Sequence, residues 1–102
     1  MNPIMDADLL LKRKVMLAES LFAELVIWRV PMPLAGSLHF YKYRLALISQ
    51  GICVMRYDNE AGKGDHIHRH SREVGYYFID VDTLLSNFSK EVEAWIDEHS
   101  HS

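Results

Sequence analysis

The sequence predicts an α+β fold: an antiparallel meander of about five strands with a C-terminal amphipathic helix packed on one face. Three observations predict it. Residues Phe22 to Val30 alternate with the two-residue period of a strand. Two runs of strand formers flank Gln50-Gly51, the pattern of a tight hairpin. Val81, Leu84, Leu85, Phe88, Val92, Trp95 and Ile96 recur at helical spacing, with Ser86, Lys90, Glu91, Glu93 and Asp97 opposite them.

The elements follow in order. Leu9 to Leu17 reads as a first strand, with Val15 and Leu17 on one face and Lys12 and Lys14 on the other. In the second, Phe22, Glu24, Val26, Trp28 and Val30 alternate with Ala23, Leu25, Ile27 and Arg29, one face nearly all apolar and the other mixed. Pro31 and Pro33 end it, since proline cannot donate to a ladder. Leu34 to Phe40 is read as a loop. Tyr41 to Ser49 then places Tyr41, Tyr43, Leu45 and Leu47 on one face and Lys42 and Arg44 on the other. Ile52 to Tyr57 sets Ile52, Val54 and Arg56 against Cys53, Met55 and Tyr57. A loop is expected from Asp58 to about Arg72, then a short last strand from Val74 to Phe78. Asp80 is placed to cap the helix, and Asp82 sits near the positive end of its dipole.

A chain of 102 residues reads as a single domain able to bury one core without disulfides, with residues 99–102 as a frayed tail. Hydrophobic residues make up 49% and charged residues 25%, which excludes disorder as the general state. The formal charge of −3 gives no global basic signal for nucleic acid, so any such affinity needs a local patch. Cys53 is the only cysteine, which rules out an internal disulfide, and its apolar neighbours suggest a small buried hydrophobe. No apolar run approaches the ~20 residues of a membrane-spanning helix. Asp6 and Asp8 stand where a secretory leader would be basic, so a cytoplasmic location is expected.

Chemistry concentrates between Tyr57 and His70. Three of the six histidines, His66, His68 and His70, lie within five residues, preceded by carboxylates and flanked by Lys63 and Arg69. Three readings fit. The first is metal-independent RNA cleavage, in which histidines supply acid and base and cations hold the phosphate. An extended segment would point His66 and His68 the same way and turn Ile67 inward, with Gly64 and Arg69 flanking. Lys63 between two glycines could meet a phosphate beside close-approaching backbone amides, with Arg44 or Arg56 joining from the hairpin. The second reading is a metal site drawing on Asp58, Glu60, Asp65, His66, His68 and His70, though no distant second ligand cluster accompanies them. The third is a solvated turn in which the same residues are only surface polar groups.

At these residues the chain resembles the TumE family of bacterial toxin–antitoxin toxins. The resemblance rests on Tyr43-Arg44-Leu45, on Gly51, on Arg56-Tyr57-Asp58-Asn59-Glu60, and on Gly62-Lys63-Gly64-Asp65-His66 with His68. Ala7 to Lys14 and the closing Leu84-Leu85 with Phe88 match as well, so the likeness covers nearly the whole chain. It implies a small toxin neutralised by a helix-turn-helix antitoxin encoded beside it. Ribonuclease action is a natural expectation for such a toxin. Ile67 departs from the pattern, where many relatives carry a polar or basic residue.

The leading expectation is therefore an endoribonuclease toxin without metal or other cofactor. His66 and His68 would be the acid/base pair, with Asp65 orienting a histidine. Lys63, Arg69, Arg44, Gly64 and Tyr57 would bind the RNA substrate. A homodimer is left open. The competing expectation is a non-catalytic module that binds nucleic acid or its partner and inhibits by occupancy.

Overall fold

In a computed structural model, residues 6–100 are described. They form one antiparallel sheet of six strands and one helix. The strands are β1 (Asp8–Ala18), β2 (Leu21–Arg29), β3 (Tyr41–Ser49), β4 (Ile52–Glu60), β5 (Gly64–Arg69) and β6 (Arg72–Gly75), and they pair strictly in chain order. Helix α1 (Val81–His99) follows. The α+β meander expected from the sequence is present, with one strand more than expected.

The extra strand falls in the His-rich segment, which is not a loop. β4 runs on through Asp58, Asn59 and Glu60, and β5 returns beside it, with Asp58 opposite His66 and Arg56 opposite His68. Two polar faces hid the period of two. One carries His66 and His68; the other carries Asp65 and Arg69 around the buried Ile67. The last strand lies earlier than Val74–Phe78, because a two-residue turn at His70-Ser71 starts it at Arg72. His70 adopts a positive φ of 54° in that turn, which separates it from the other two histidines. Gln50 and Gly51, with φ of 51° and 78°, make the expected β3–β4 turn.

Leu84, Phe88 and Val92 are the buried stripe of α1, and they meet Ala23, Ile27, Leu45, Leu47, Met55, Tyr57 and Ile67 of the sheet. Fully burying such a side chain contributes about 1.5–3 kcal/mol. The Phe88 and Tyr57 rings meet edge to face, their centroids 5.6 Å apart at 87°, which seats the helix over β4. Asp80 caps the helix by accepting the Thr83 N–H at 2.7 Å, and this bond holds the carboxyl below its ordinary range. At the other end His99 is helical, its Nδ1–H reaching Trp95 O at 2.8 Å, and Ser100 is the C-cap. Of the tail expected over 99–102, residues 101 and 102 lie outside the described ones.

Cys53 is exposed rather than in the core. A β-bulge explains it: Leu47 pairs with Met55, but Ile48 pairs with Cys53, leaving Val54 as the extra residue. The bulge puts Cys53 out of phase with Met55, although the two are separated by one residue.

Glu91, on the helix, ties α1 to the sheet. Arg69 grips its carboxylate with Nε, at 2.7 Å, and with Nη2, and the Tyr57 hydroxyl donates to it. Partial burial pushes the Glu91 pKa up, but the hydrogen bonds from Arg69 and Tyr57 and the charge of Arg69 outweigh it, and the net shift is downward. A carboxylate depressed in the folded state stabilises fully above its unfolded value, 4.5, and loses that contribution as pH falls through the folded one. Chemical denaturation should therefore show wild-type stability declining below about pH 4.5, with a shallower decline in Glu91→Gln. Equal slopes in the two proteins would remove Glu91 from the acid response.

Candidate functional site

The helix covers one face of the sheet and leaves the other uncovered by any described element. Side chains facing each other across an antiparallel ladder share a face, so the register sorts the candidates. One row of the uncovered face runs Val26, Arg44, Asp58, His66 and Gly75. The next runs Glu24, Ala46, Arg56, His68 and Glu73. Two histidines, two arginines and two carboxylates thus converge on the β3–β6 end of one face.

Within this group the imidazole centroids of His66 and His68 lie 6.3 Å apart. Both rings turn toward one carboxylate, that of Glu73: His66 Nδ1 is 3.2 Å from Oε1 and His68 Nδ1 is 3.7 Å from Oε2. The second nitrogen of His66 faces the Lys63 carbonyl. That of His68 faces Asp58 Oδ1 at 3.4 Å. Asp58 is fixed from its other oxygen, which accepts from Arg56 Nε at 2.9 Å. Its side chain is only 9% exposed, and Oδ1 receives no aligned hydrogen bond among the described residues. The contact with His68 is thus close enough for attraction but poorly directed, leaving a buried acceptor poised toward that ring.

Asp65 belongs to the opposite face. Its Oδ1 accepts from Ser37 Oγ at 2.7 Å, and its Oδ2 accepts from both His39 Nε2 and Tyr43 Oη at 2.7 Å. His39 Nδ1 accepts the Tyr41 N–H at 3.2 Å. Both nitrogens of His39 are therefore committed to partners, which leaves the ring no free site for proton transfer. Burial, and then the bond to Asp65, push the Tyr43 hydroxyl far above its ordinary pKa. Beside this network Asn59 is fully buried and satisfied: it accepts from Tyr43 N–H at 3.0 Å and donates to Tyr41 O at 2.7 Å and Ser37 Oγ at 3.3 Å.

Two glycines let the loop carrying Ser37 and His39 reach β5. A Cβ on Gly64, where φ is +77°, would lie 2.7 Å from Gly36 O, and one on Gly36 would lie 2.7 Å from Gly64 N. Backbone meets backbone here, so neither position has room for a side chain. The adjoining Gly62 N–H donates to Ala35 O.

The residues expected from sequence therefore divide. His66, His68 and Arg44 share the uncovered face, and Lys63 stands at the β4–β5 turn beside His66. Asp65 does hold a histidine, but that histidine is His39. Tyr57 and Arg69 are engaged by Glu91 on the helix side, and Gly64 serves a backbone contact. Sequence reasoning missed the pairing of Asp58 with His68, the contribution of Glu73, and the Ser37–His39 loop. The first was legible in principle, because an extended Arg56–Glu60 places Asp58 beside a returning strand. The loop carried no periodic signal. Among the described residues no group of three or more His, Cys, Asp or Glu side chains is arranged to hold a metal ion. No described helix is long and apolar enough to cross a membrane.

Comparison with known families matches residues 6–96 to the model described as Toxin TumE. No curated protein and no solved structure gives a significant match.

Proposed function

The chain belongs to the TumE toxin family, and from that premise we propose that it acts as a metal-independent endoribonuclease on the uncovered face of its sheet. Membership in a toxin family implies a neutralising antitoxin; in this reading that partner is a helix-turn-helix protein. The observation that carries the enzymatic reading is the convergence of His66 and His68 on one anionic group. In this reading a phosphate replaces the Glu73 carboxylate between the two rings; β6 is exposed along its whole length, which supports Glu73 giving way to substrate.

His68, backed by Asp58, takes the proton of a ribose 2′-hydroxyl. The freed oxygen attacks phosphorus, and the bond to the 5′ oxygen breaks. His66 gives that oxygen its proton, leaving a 2′,3′-cyclic phosphate and a 5′-hydroxyl end. Arg44, in the same row as His66, and Lys63 at the turn hold the phosphate oxygens. All these residues come from one sheet, so the reaction needs one copy of the chain. Tyr57 and Arg69 act at a distance here, by anchoring the helix, and Asp65 by building the wall beside His66.

Purified protein freed of antitoxin should cut RNA in excess EDTA and leave cyclic phosphate ends. Arg44→Ala should weaken binding to a non-cleavable RNA and reduce the slope of log affinity against log salt by about one phosphate contact, ~0.7 for a single strand. Cleavage abolished by EDTA and restored by Mn or Mg would replace this mechanism with metal chemistry. Binding without cleavage would favour inhibition by occupancy.

A further inference from the structure

The end of the sheet holds a groove of about 480 Å³ that extends from His66 away from His68 and Glu73, neither of which lines it. The Gly36–His39 loop, the Lys63–His66 stretch and the segment Gly75–Phe78 enclose it. Its lining is mixed in character. Lys63 and His66 supply one cation and one ring of the proposed reacting pair. Tyr77, 85% exposed, and Leu38, 99% exposed, also line it. Part of the lining is rigid: Phe78 stacks on His39 at 3.7 Å, and His39 is locked to Asp65 and Tyr41. The floor is open because the residue opposite His66 in β6 is Gly75, which has no side chain to cover that ring.

We propose that this groove is a subsite for one unpaired nucleobase of the RNA, next to the scissile phosphate. The proposal rests on the ribonuclease reading and adds a substrate class, single-stranded RNA, and a specificity residue, Tyr77. An aromatic ring held in water at the mouth of a prebuilt groove costs exposure and gains nothing by packing; a stacking partner accounts for it. Lys63 at the same opening draws the flanking phosphate, and His66 makes the groove continuous with the reacting pair. A paired base, held in a helical stack, cannot enter a groove of this kind. The subsite therefore selects loops and single-stranded stretches.

Two variants test the groove without replacing the proposed acid/base residues. Tyr77→Ala removes an exposed ring. Gly75→Leu fills the floor, and a Cβ there meets no described atom within 4 Å and no positive φ, so the substitution is unstrained. The probe is a fluorescently labelled 2′-O-methyl RNA octamer, which cannot be cut, followed by anisotropy, with circular dichroism confirming that each variant is folded. Tyr77→Ala should weaken binding about tenfold, within the range seen for losing one stacked base, and Tyr77→Trp should restore it. Gly75→Leu should weaken it comparably. The same sequence as a duplex should bind less well than the single strand, and Tyr77→Ala should leave duplex binding unchanged. Single-strand affinity equal to wild type in both Tyr77→Ala and Gly75→Leu would overturn the subsite while leaving the ribonuclease reading intact. Undetectable RNA binding by the wild type would overturn both. Loss of antitoxin binding in the two variants, with RNA affinity preserved, would assign the groove to the protein partner and also overturn the proposal.

Discussion

Alanine at both His66 and His68 should slow RNA cleavage by ~10² to 10⁴ or more, the usual cost of removing a positioned acid or base. Expression of that double variant without antitoxin should no longer arrest growth. Both rings sit on the uncovered face, 20% and 26% exposed, and neither fills the core. Thermal and chemical denaturation should therefore stay close to wild type, within ~0.5 kcal/mol, as for surface substitutions. The single variants separate the roles. His68→Ala should suffer most on ordinary RNA, whereas a substrate with a good leaving group at the 5′ position should rescue His66→Ala, because such a group departs without a proton. Growth arrest and cleavage undiminished in the double variant would take both histidines out of the mechanism.

The second large effect falls on stability. Asp65 is the common acceptor for Ser37, His39 and Tyr43, and its side chain is 6% exposed. Asp65→Ala leaves three mostly buried donors without it. Each buried group so stranded costs about 1–3 kcal/mol, so a loss of roughly 3 kcal/mol or more is expected in urea titration. That is a large part of the ~5–15 kcal/mol by which folded domains exceed their unfolded states. The loop bearing His39 should loosen first, seen as faster amide exchange at Ser37 and Tyr41. If Asp65→Ala instead left stability unchanged and abolished only cleavage, Asp65 would be a group of the reaction and not of the scaffold.

These two expectations mark where the sequence was readable. The faces of β3 and the stripe of α1 were legible because one side of each is apolar, which makes the period visible. Ile67 inward and His66 with His68 outward followed from the same alternation. The His-rich strand itself reads as a loop because β5 has polar residues on both faces. Hydrophobicity cannot reveal a period when the side chains flanking Ile67 on the helix side are Asp65 and Arg69, each held there by a specific partner. The bulge at Val54 was invisible for another reason: nothing in the residue types shows where a register slips, and Cys53 was misplaced by that single step. Least legible was the loop from Leu34 to Phe40. Ser37 and His39 matter through Asp65, 28 and 26 residues away, and close backbone contacts, above all that between Gly36 and Gly64, bring them there.

The strict chain order of the strands also sets the order in which the molecule comes into being. As synthesis proceeds from the N-terminus, each strand finds its neighbour already made, so β1 to β4 can pair before the later strands exist. The histidines arrive with β5, and the carboxylate between them arrives with β6. The helix that shields Leu45, Leu47, Tyr57 and Ile67 is made last. Until then the sheet carries a bare apolar face, and the nascent chain has its paired histidines before it has a finished core. Closing that face is therefore the last step in building the molecule.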